Sequence, residues 1–522
     1  MELSTYQKQI TEYFVNNPGR NMAISALAGC AKTTTALLLS ETTSTSDVYI
    51  AFNKSIQQEM QTKLKNPKTK CYTMHGLCLG VMSYNLKQEN KEYKLNNYKI
   101  NEIVEDLFND SYKNSRNKTM SSFAHLKYLS GNYSTLYNII RLKLIPIEEN
   151  YIKYTIDELG LFRSDGTYNM PDFEEVMDWL KYIDKQSQDL FESECICDFT
   201  DMLYITYLKL KDGLWEIPYW NYYTNIYFDE FQDASPVQYF LIKFFKRKNG
   251  RFVLIFDKNQ AIYGFAGADC NATDKIDKIF GPIEHFKLPI NYRCGTKILD
   301  YTNKEFNVGI QPRPNATKGN VEVIPYDNVV KLAKPGDFII GRLNKDLIKM
   351  AMLLVSNGKR VFINDPTLVN RLTSFIKGLR FENNVVNTMY EFHSAMNELR
   401  SKNDIKGQEL DPAIIDNMDV LTEILYYYES DSASIQDFIE FIQNSINCTH
   451  SDGCISLMSI HKSKGLEENN VFVLHEAIPF TKLAKTPDML QQERNLSYVA
   501  ITRAKENLYL VQDIPEDKED EF

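Results

Sequence analysis

The chain has 522 residues, a formal net charge of −10, 43% hydrophobic and 25% charged residues, a length that predicts roughly three or four domains rather than one. The acidic balance excludes a uniformly basic nucleic-acid coat but not a local basic cleft, and without an apolar run of about 18 residues no membrane span is expected. Nine scattered cysteines show no zinc or iron–sulfur spacing and read as reduced thiols of an intracellular, cytoplasmic protein, while the start at Met1 lacks the basic and apolar segments of a secretory leader.

Asn21–Ser25 reads as a short apolar strand, followed by a small-residue loop and a helix opening at Lys32. Asp47–Phe52 and Lys70–Met74 are predicted as further strands. From about 85 to 190 the rhythm breaks into a Lys-, Asn- and Tyr-rich region with helical patches such as Ile100–Phe108, which predicts a helical insertion. Strands resume at Ile226–Phe228 and Arg251–Phe256. A second set is predicted at Asp337–Gly341, Arg360–Ile363, Ile455–Met458, Val471–Leu474 and Leu508–Val511, interrupted by a polar helical stretch near 368–448. Short apolar runs that end at polar residues, with helices between them, predict parallel α/β sheets. Ligands of such sheets bind beyond the carboxyl ends of the strands. The acidic tail Pro515–Phe522 is expected to be disordered.

Ala26-Leu-Ala-Gly-Cys-Ala-Lys-Thr33 has the form of a phosphate-binding loop. Backbone N–H groups at a helix N-terminus cradle phosphates, Lys32 reaches the terminal ones and Thr33 ligates magnesium. The generic pattern has glycine where Ala26 and Ala31 stand, so the loop by itself also fits a plain strand-to-helix turn. Asp229 and Glu230 end an apolar strand. One carboxylate suits the magnesium shell (Asp229) and its neighbour the attacking water (Glu230); a lone Asp-Glu pair also fits an acidic strand end facing solvent.

Further segments follow in order: Leu3-Ser-x-x-Gln7, Phe52-Asn-Lys54, Thr73-Met-His-Gly76, Asp198-Phe-Thr-Asp-Met202, Asp229-Glu-Phe-Gln-Asp233, Asp257–Phe265, Asn291-Tyr-Arg293, His461–Glu467 and Tyr498–Ala504. With the phosphate loop they resemble the motif series of superfamily 1 helicases of the UvrD/Rep/PcrA type, from residue 3 to residue 511 outside the two insertions. The resemblance implies an α/β chain of two RecA-like parallel-sheet domains, each with a mainly helical insertion and with ATP bound between them. The expected boundaries are 1–84 with 190–285 for the first sheet domain and 85–189 for its insertion. The second sheet domain is expected at 286–367 with 449–514, its small insertion at 368–448 and the tail at 515–522.

The same resemblance implies roles. ATP and Mg2+ are the expected cofactors. Gln7 contacts adenine, Tyr292 stacks on the base, Glu467 touches the ribose, and Ala28, Gly29, Cys30, Ala31, Lys32, Thr33 and Thr34 line the phosphates. Gln260 sits by the γ-phosphate and the attacking water, and Arg293 and Arg503 stabilise charge on the transferring phosphate. Two positions depart from the family pattern. Ala31 replaces the glycine beside Lys32, a cost on the order of 1–2 kcal/mol if that backbone needs positive φ. Ala266 replaces the arginine that couples hydrolysis to DNA.

Phe265 is the expected base-stacking residue. Phe52, Lys54, His75, His461 and Lys462 are candidates for the same DNA track, and the basic stretches Tyr112–Lys118 and Lys127–Tyr128 for an added contact or a solvated helix face. The implied function is ATP-dependent movement along single-stranded DNA, 3′→5′, with separation of forked duplex in replication, recombination or repair. A protein-displacing translocase and a non-hydrolysing nucleic-acid scaffold disabled by Ala31 are the alternatives. A monomer in a bacterial or phage-infected cell is expected, with the acidic tail as a contact for a replication or single-strand-binding protein.

Overall fold

Asn21–Ala26 (β1), Asp47–Ala51 (β2), Thr69–Thr73 (β3), Tyr223–Phe228 (β4), Lys246–Phe256 (β5) and Ile283–Leu288 (β6) form one six-stranded sheet in the order β3-β2-β4-β5-β1-β6. Every neighbouring pair is parallel. β2 is buried along its whole length and β1 nearly so, as expected of strands covered on both faces. In this computed structural model the described residues are 3–114, 123–162, 171–382, 384–403, 412–428, 434–446, 452–474 and 486–512. The chain divides into two units: Met1–Leu161 with Pro171–Tyr292, and Phe162–Met170 with Arg293–Phe522.

In the first unit, helices Thr5–Asn16 (α1), Lys32–Glu41 (α2), Lys54–Lys63 (α3) and Met74–Gln88 (α4) accompany the first three strands. Each of the last three starts at the end of a strand, which sets its N-terminus on the carboxyl edge of the sheet. Among the described residues, the stretch expected as the first insertion holds Lys99–Asn114 (α5), Phe123–Lys143 (α6), Glu149–Leu159 (α7) and most of Phe173–Glu194 (α8), with α5 packed on α6 and α8. Asp201–Lys211 (α9) leads back to β4.

The second unit repeats the plan. Asn320–Pro325 (β7), Phe338–Gly341 (β8), Val361–Ile363 (β9), Ile455–Ser459 (β10), Glu468–Leu474 (β11) and Ala504–Gln512 (β12) form a six-stranded parallel sheet in the order β7-β12-β11-β8-β10-β9. Helices Leu368–Gly378, Met389–Asn403, Pro412–Leu425 and Ile435–Ser445 occupy the predicted second insertion. Their Phe392, Leu421 and Phe438 belong to one core with Ile339 and Leu457 of the sheet.

The fold is two RecA-like α/β sheets, as the sequence implies, and each sheet holds one strand that the apolar pattern does not predict. These are β6 and β7, and both lie at a sheet edge with mostly part-exposed or exposed residues. An edge strand covered on fewer sides needs no continuous apolar run, so the signal that marks the others is missing. β5 also begins earlier than predicted, because Lys246-Arg-Lys-Asn249 extends it through part-exposed and exposed polar residues. Residues 115–118 of the basic stretch and the tail 515–522 lie outside the described residues. Among the described residues no helix is long and apolar enough to cross a membrane, and no disulfide joins their cysteines.

Candidate nucleotide and nucleic-acid sites

Between β1 and α2 the chain turns through Gly29 at φ 67° and Ala31 at φ 60°, ψ 37°. Both are left-handed, a conformation open to glycine but costing an L-residue roughly 1–2 kcal/mol. The condition under which Ala31 is strained is therefore met. Ala28 and Cys30 are buried. The loop carbonyls are gripped from one side, since Asn291 Nδ2 donates to the Ala28 oxygen at 2.7 Å and the Tyr292 N–H donates to the Gly29 oxygen at 2.9 Å. Ala31 is the N-cap of α2 and offers no side-chain acceptor to the first-turn N–H groups, which suits them, with Lys32, Thr33 and Thr34, to an anionic ligand.

Because the strands are parallel, Lys32 after β1, Asp229 and Glu230 after β4, and Asp257 and Gln260 after β5 share one edge. Lys32 Nζ lies 3.1 and 3.3 Å from the two Glu230 carboxylate oxygens. Burial alone would lower the Lys32 pKa, but the charges of Glu230, Asp257 and Asp229 outweigh it and raise it. Thr33 Oγ1 stands 3.5 Å from Asp229 Oδ2, the Tyr49 hydroxyl donates to the same oxygen, and the Glu230 N–H donates to Oδ1 at 2.9 Å. Burial, reinforced by the Glu230 charge, pushes the Asp229 carboxyl up to about 6. Glu230 itself is left-handed at φ 51°, strain of the kind that gathers at functional sites.

Two residues outside the sequence-predicted set complete this network. The Gln232 amide donates to Glu230 and accepts the Asp257 N–H at 3.0 Å, and Gln260 Nε2 donates to Asp257 Oδ2 at 2.9 Å. Gln260 therefore connects to Glu230 through Asp257 and Gln232. The Thr33 hydroxyl and the Asp229 carboxylate form an oxygen-only donor pair, which fits a hard cation that takes its remaining ligands from phosphate and water. Among the described residues no cluster of three or more His, Cys, Asp or Glu side chains offers a metal cage. Gln7 is buried. It accepts from the Ser4 N–H in a capping box and donates to Thr35 Oγ1 at 3.2 Å, tying α1 to α2.

The same edge carries a row of aromatic rings. Phe52, 42% exposed at the end of β2, stacks on Tyr263 with ring centres 5.3 Å apart, and Tyr263 meets Phe265, 55% exposed, at 6.2 Å. His75 at the start of α4 packs against the half-exposed Phe199 at 5.1 Å. Burial lowers the His75 pKa to about 4, so its ring is neutral at neutral pH. Lys54 is exposed at the start of α3. Ala266 is exposed beside Phe265, and Gly267 at φ 94° packs where an added Cβ would lie 2.8 Å from Leu142 of α6. The sequence does not single out Tyr263 or Phe199, although each lies within a segment that it marks.

Phe199 sits between two buried carboxylates. Arg141 of α6 donates to Asp198 at 2.7 and 3.1 Å and to Asp201, and Lys99 of α5 donates to Asp201. The two acids of this family-like segment are thus neutralised by cations of the insertion, which no local sequence signal marks.

In the second unit, Arg293 pairs with Glu467 and donates to the Thr502 oxygen at 2.9 Å, while Lys505 Nζ lies 3.2 Å from Glu467. Burial works against the Glu467 carboxylate, but Arg293 and Lys505 hold its pKa below the usual range. Arg503 is buried, and its guanidinium donates to the oxygens of Val499 at 2.9 Å and Leu466 at 3.2 Å. Glu467 precedes β11 and Arg503 precedes β12, so this group lies on the amino edge of the sheet. His461 and Lys462 follow β10 and lie on the carboxyl edge. Lys462 is paired with Asp365 at 2.9 Å, and burial lowers the His461 pKa to about 4.

Residues 6–281 match the UvrD/REP helicase N-terminal domain, and residues 368–513 match the UvrD-like helicase C-terminal domain. The chain is 25% identical to F-box DNA helicase protein 1 of Schizosaccharomyces pombe, over 97% of this chain and 57% of that protein. It is 22% identical to the ATP-dependent DNA helicase PcrA of Leuconostoc citreum, over 60% of this chain and 57% of that protein. A probable DNA helicase II homolog of Mycoplasma genitalium is 23% identical over 57% of this chain and 39% of that protein. The chain thus spans little more than half the length of the first two relatives and about two fifths of the third.

Proposed function

The chain belongs to the UvrD/REP helicase family, and on that premise we propose that it is a DNA-stimulated ATPase that moves 3′→5′ along single-stranded DNA and separates forked duplex in replication, recombination or repair. One observation carries the reading: Lys32, Thr33, Asp229, Glu230 and Gln260 converge on one sheet edge that also carries the Phe52–Tyr263–Phe265 row. The relatives named as DNA helicases support DNA as the track.

In this reading Lys32 exchanges Glu230 for the terminal phosphates of ATP. Glu230 then orients the attacking water and accepts its proton, with Gln260 beside it. Thr33 and Asp229 would hold a magnesium ion, which when bound would offset phosphate charge. Gln7, Tyr292 and Glu467 as nucleoside contacts, and Arg293 and Arg503 as phosphate contacts, rest on family resemblance. Phe52, Tyr263, Phe265 and the His75–Phe199 pair supply stacking surfaces and Lys54 a phosphate contact; His461 and Lys462 join the track by resemblance.

The left-handed Ala31 favours a second reading, a nucleic-acid-binding scaffold that does not hydrolyse ATP. ATPase rates with and without single-stranded DNA, for the wild type, Lys32→Ala and Ala31→Gly, separate the two. A wild type without DNA-stimulated hydrolysis sinks the motor, and hydrolysis restored by Ala31→Gly supports the scaffold. Duplexes with a single-stranded tail of either polarity then test unwinding and direction.

A further inference from the structure

Tyr49 has no place in the motif series, yet it touches the carboxylate at the centre of the site. β2 and β4 pair in the register Tyr49↔Tyr227 and Ile50↔Phe228. Side chains alternate along a strand, so Tyr49, Tyr227 and the next residue of that parity, Asp229, project from one face. The phenol is long enough to span the step in register, and its hydroxyl donates to Asp229 Oδ2. Tyr49 is fully buried, so no water competes for that bond.

The contacts on Asp229 divide by oxygen. Oδ1 accepts the Glu230 N–H at 2.9 Å, while Oδ2 receives Tyr49 and faces the Thr33 hydroxyl at 3.5 Å. A carboxylate held through one oxygen swings about its terminal torsion, which is broad and soft. A carboxylate held through both has a fixed plane. The Glu230 N–H secures one oxygen, and the tyrosine secures the other beside Thr33.

We propose that Tyr49 is the positioning residue of Asp229: its hydroxyl sets the carboxylate plane so that Oδ2 meets the Thr33 hydroxyl, and it thereby tunes the affinity of the site for magnesium-bound nucleotide. The inference rests on the reading of Thr33 and Asp229 as the ligands of the nucleotide's cation. Tyr49 acts through Asp229 and touches neither nucleotide nor cation. Groups that orient a metal-binding carboxylate typically change metal affinity by about 10-fold or more when removed.

The test measures binding rather than turnover. Fluorescent ADP is titrated onto the full chain at a series of magnesium concentrations and again with excess EDTA, for the wild type and Tyr49→Phe. Phenylalanine keeps the ring that fills the space, and thermal melts followed by circular dichroism check folding. The half-saturating magnesium concentration is expected to rise about 10-fold in Tyr49→Phe, with metal-free ADP affinity unchanged. In the Asp229→Asn background the same substitution should add nothing. A folded Tyr49→Phe protein with the wild-type magnesium requirement overturns the proposal, as does an equal effect of Tyr49→Phe with and without Asp229→Asn. A wild type that binds ADP without regard to magnesium removes the cation reading itself, a different result from a magnesium-dependent wild type matched by its variant.

Discussion

Arg141 of α6 and Asp198, just before α9, meet at 2.7 Å with the arginine side chain wholly buried. Lys99 and Asp201 extend the pair into a two-cation, two-anion cluster that ties α5 and α6 to the start of α9. Removing one member of a buried pair leaves an uncompensated charge, which costs about 3–5 kcal/mol. Arg141→Ala is therefore expected to lower unfolding stability of the first unit by about that amount, read from urea denaturation. Because Asp198 and Asp201 flank Phe199, weaker single-stranded DNA binding should accompany it under conditions where the variant stays folded. An unchanged denaturation midpoint would show that the cluster contributes nothing net.

Ala31→Gly tests the strain in the phosphate loop. The left-handed backbone costs alanine roughly 1–2 kcal/mol, against which glycine loses about 0.5–1 kcal/mol more chain entropy on folding. The net expectation is stabilisation by about 0.5–1 kcal/mol, seen as a higher melting temperature. If the loop already works with alanine, hydrolysis changes little. A lower melting temperature would mean that the methyl makes contacts worth more than the strain.

His75 and His461 give the protein an acid-sensitive component. Burial holds both folded-state values near 4, below the usual 6.5. Between those values the unfolded chain binds more protons than the folded one, so stability falls as pH drops from about 6.5 towards 4 and is unaffected above that window. His75→Gln should flatten the fall by about 3 kcal/mol, measured by denaturation at a series of pH values. Equal pH slopes in the variant and the wild type would contradict the burial argument.

The aromatic row and Lys54 should differ in their dependence on salt. Phe265→Ala is expected to weaken single-stranded DNA binding by about 1–3 kcal/mol without altering the salt slope, because stacking releases no counterions. Lys54→Ala should weaken binding less at high salt and reduce the slope by about 1. Fluorescence anisotropy over a range of salt concentrations measures both. A Phe265→Ala protein with wild-type affinity would remove Phe265 from the track.

Much of the candidate site is legible in the sequence, since its parts are local. The phosphate loop and the Asp229-Glu230 pair each sit where a buried strand ends, and an apolar run followed by a polar turn marks such a place in one dimension; Gln260 is marked by the resemblance of its segment to a family motif. Phe52 and Phe265 are marked by the same resemblance. Gln232 and Tyr263 lie inside recognised segments, and only their contacts single them out. Arg503 is legible as a family arginine, but not the bonding of its guanidinium to the carbonyls of Val499 and Leu466.

The linear order of residues determined the two parallel α/β sheets, because burial on both faces demands apolar runs, and it marked candidate polar residues at the strand ends. Folding in three dimensions decided which distant residues serve those ends. Asn291 grips Ala28 from 263 positions away, Tyr49 reaches Asp229 across 180, and Arg141 reaches Asp198 across 57. Each contact depends on strand order, register or helix packing. Hydrophobic periodicity reports only that a residue is buried, not which partner lies against it.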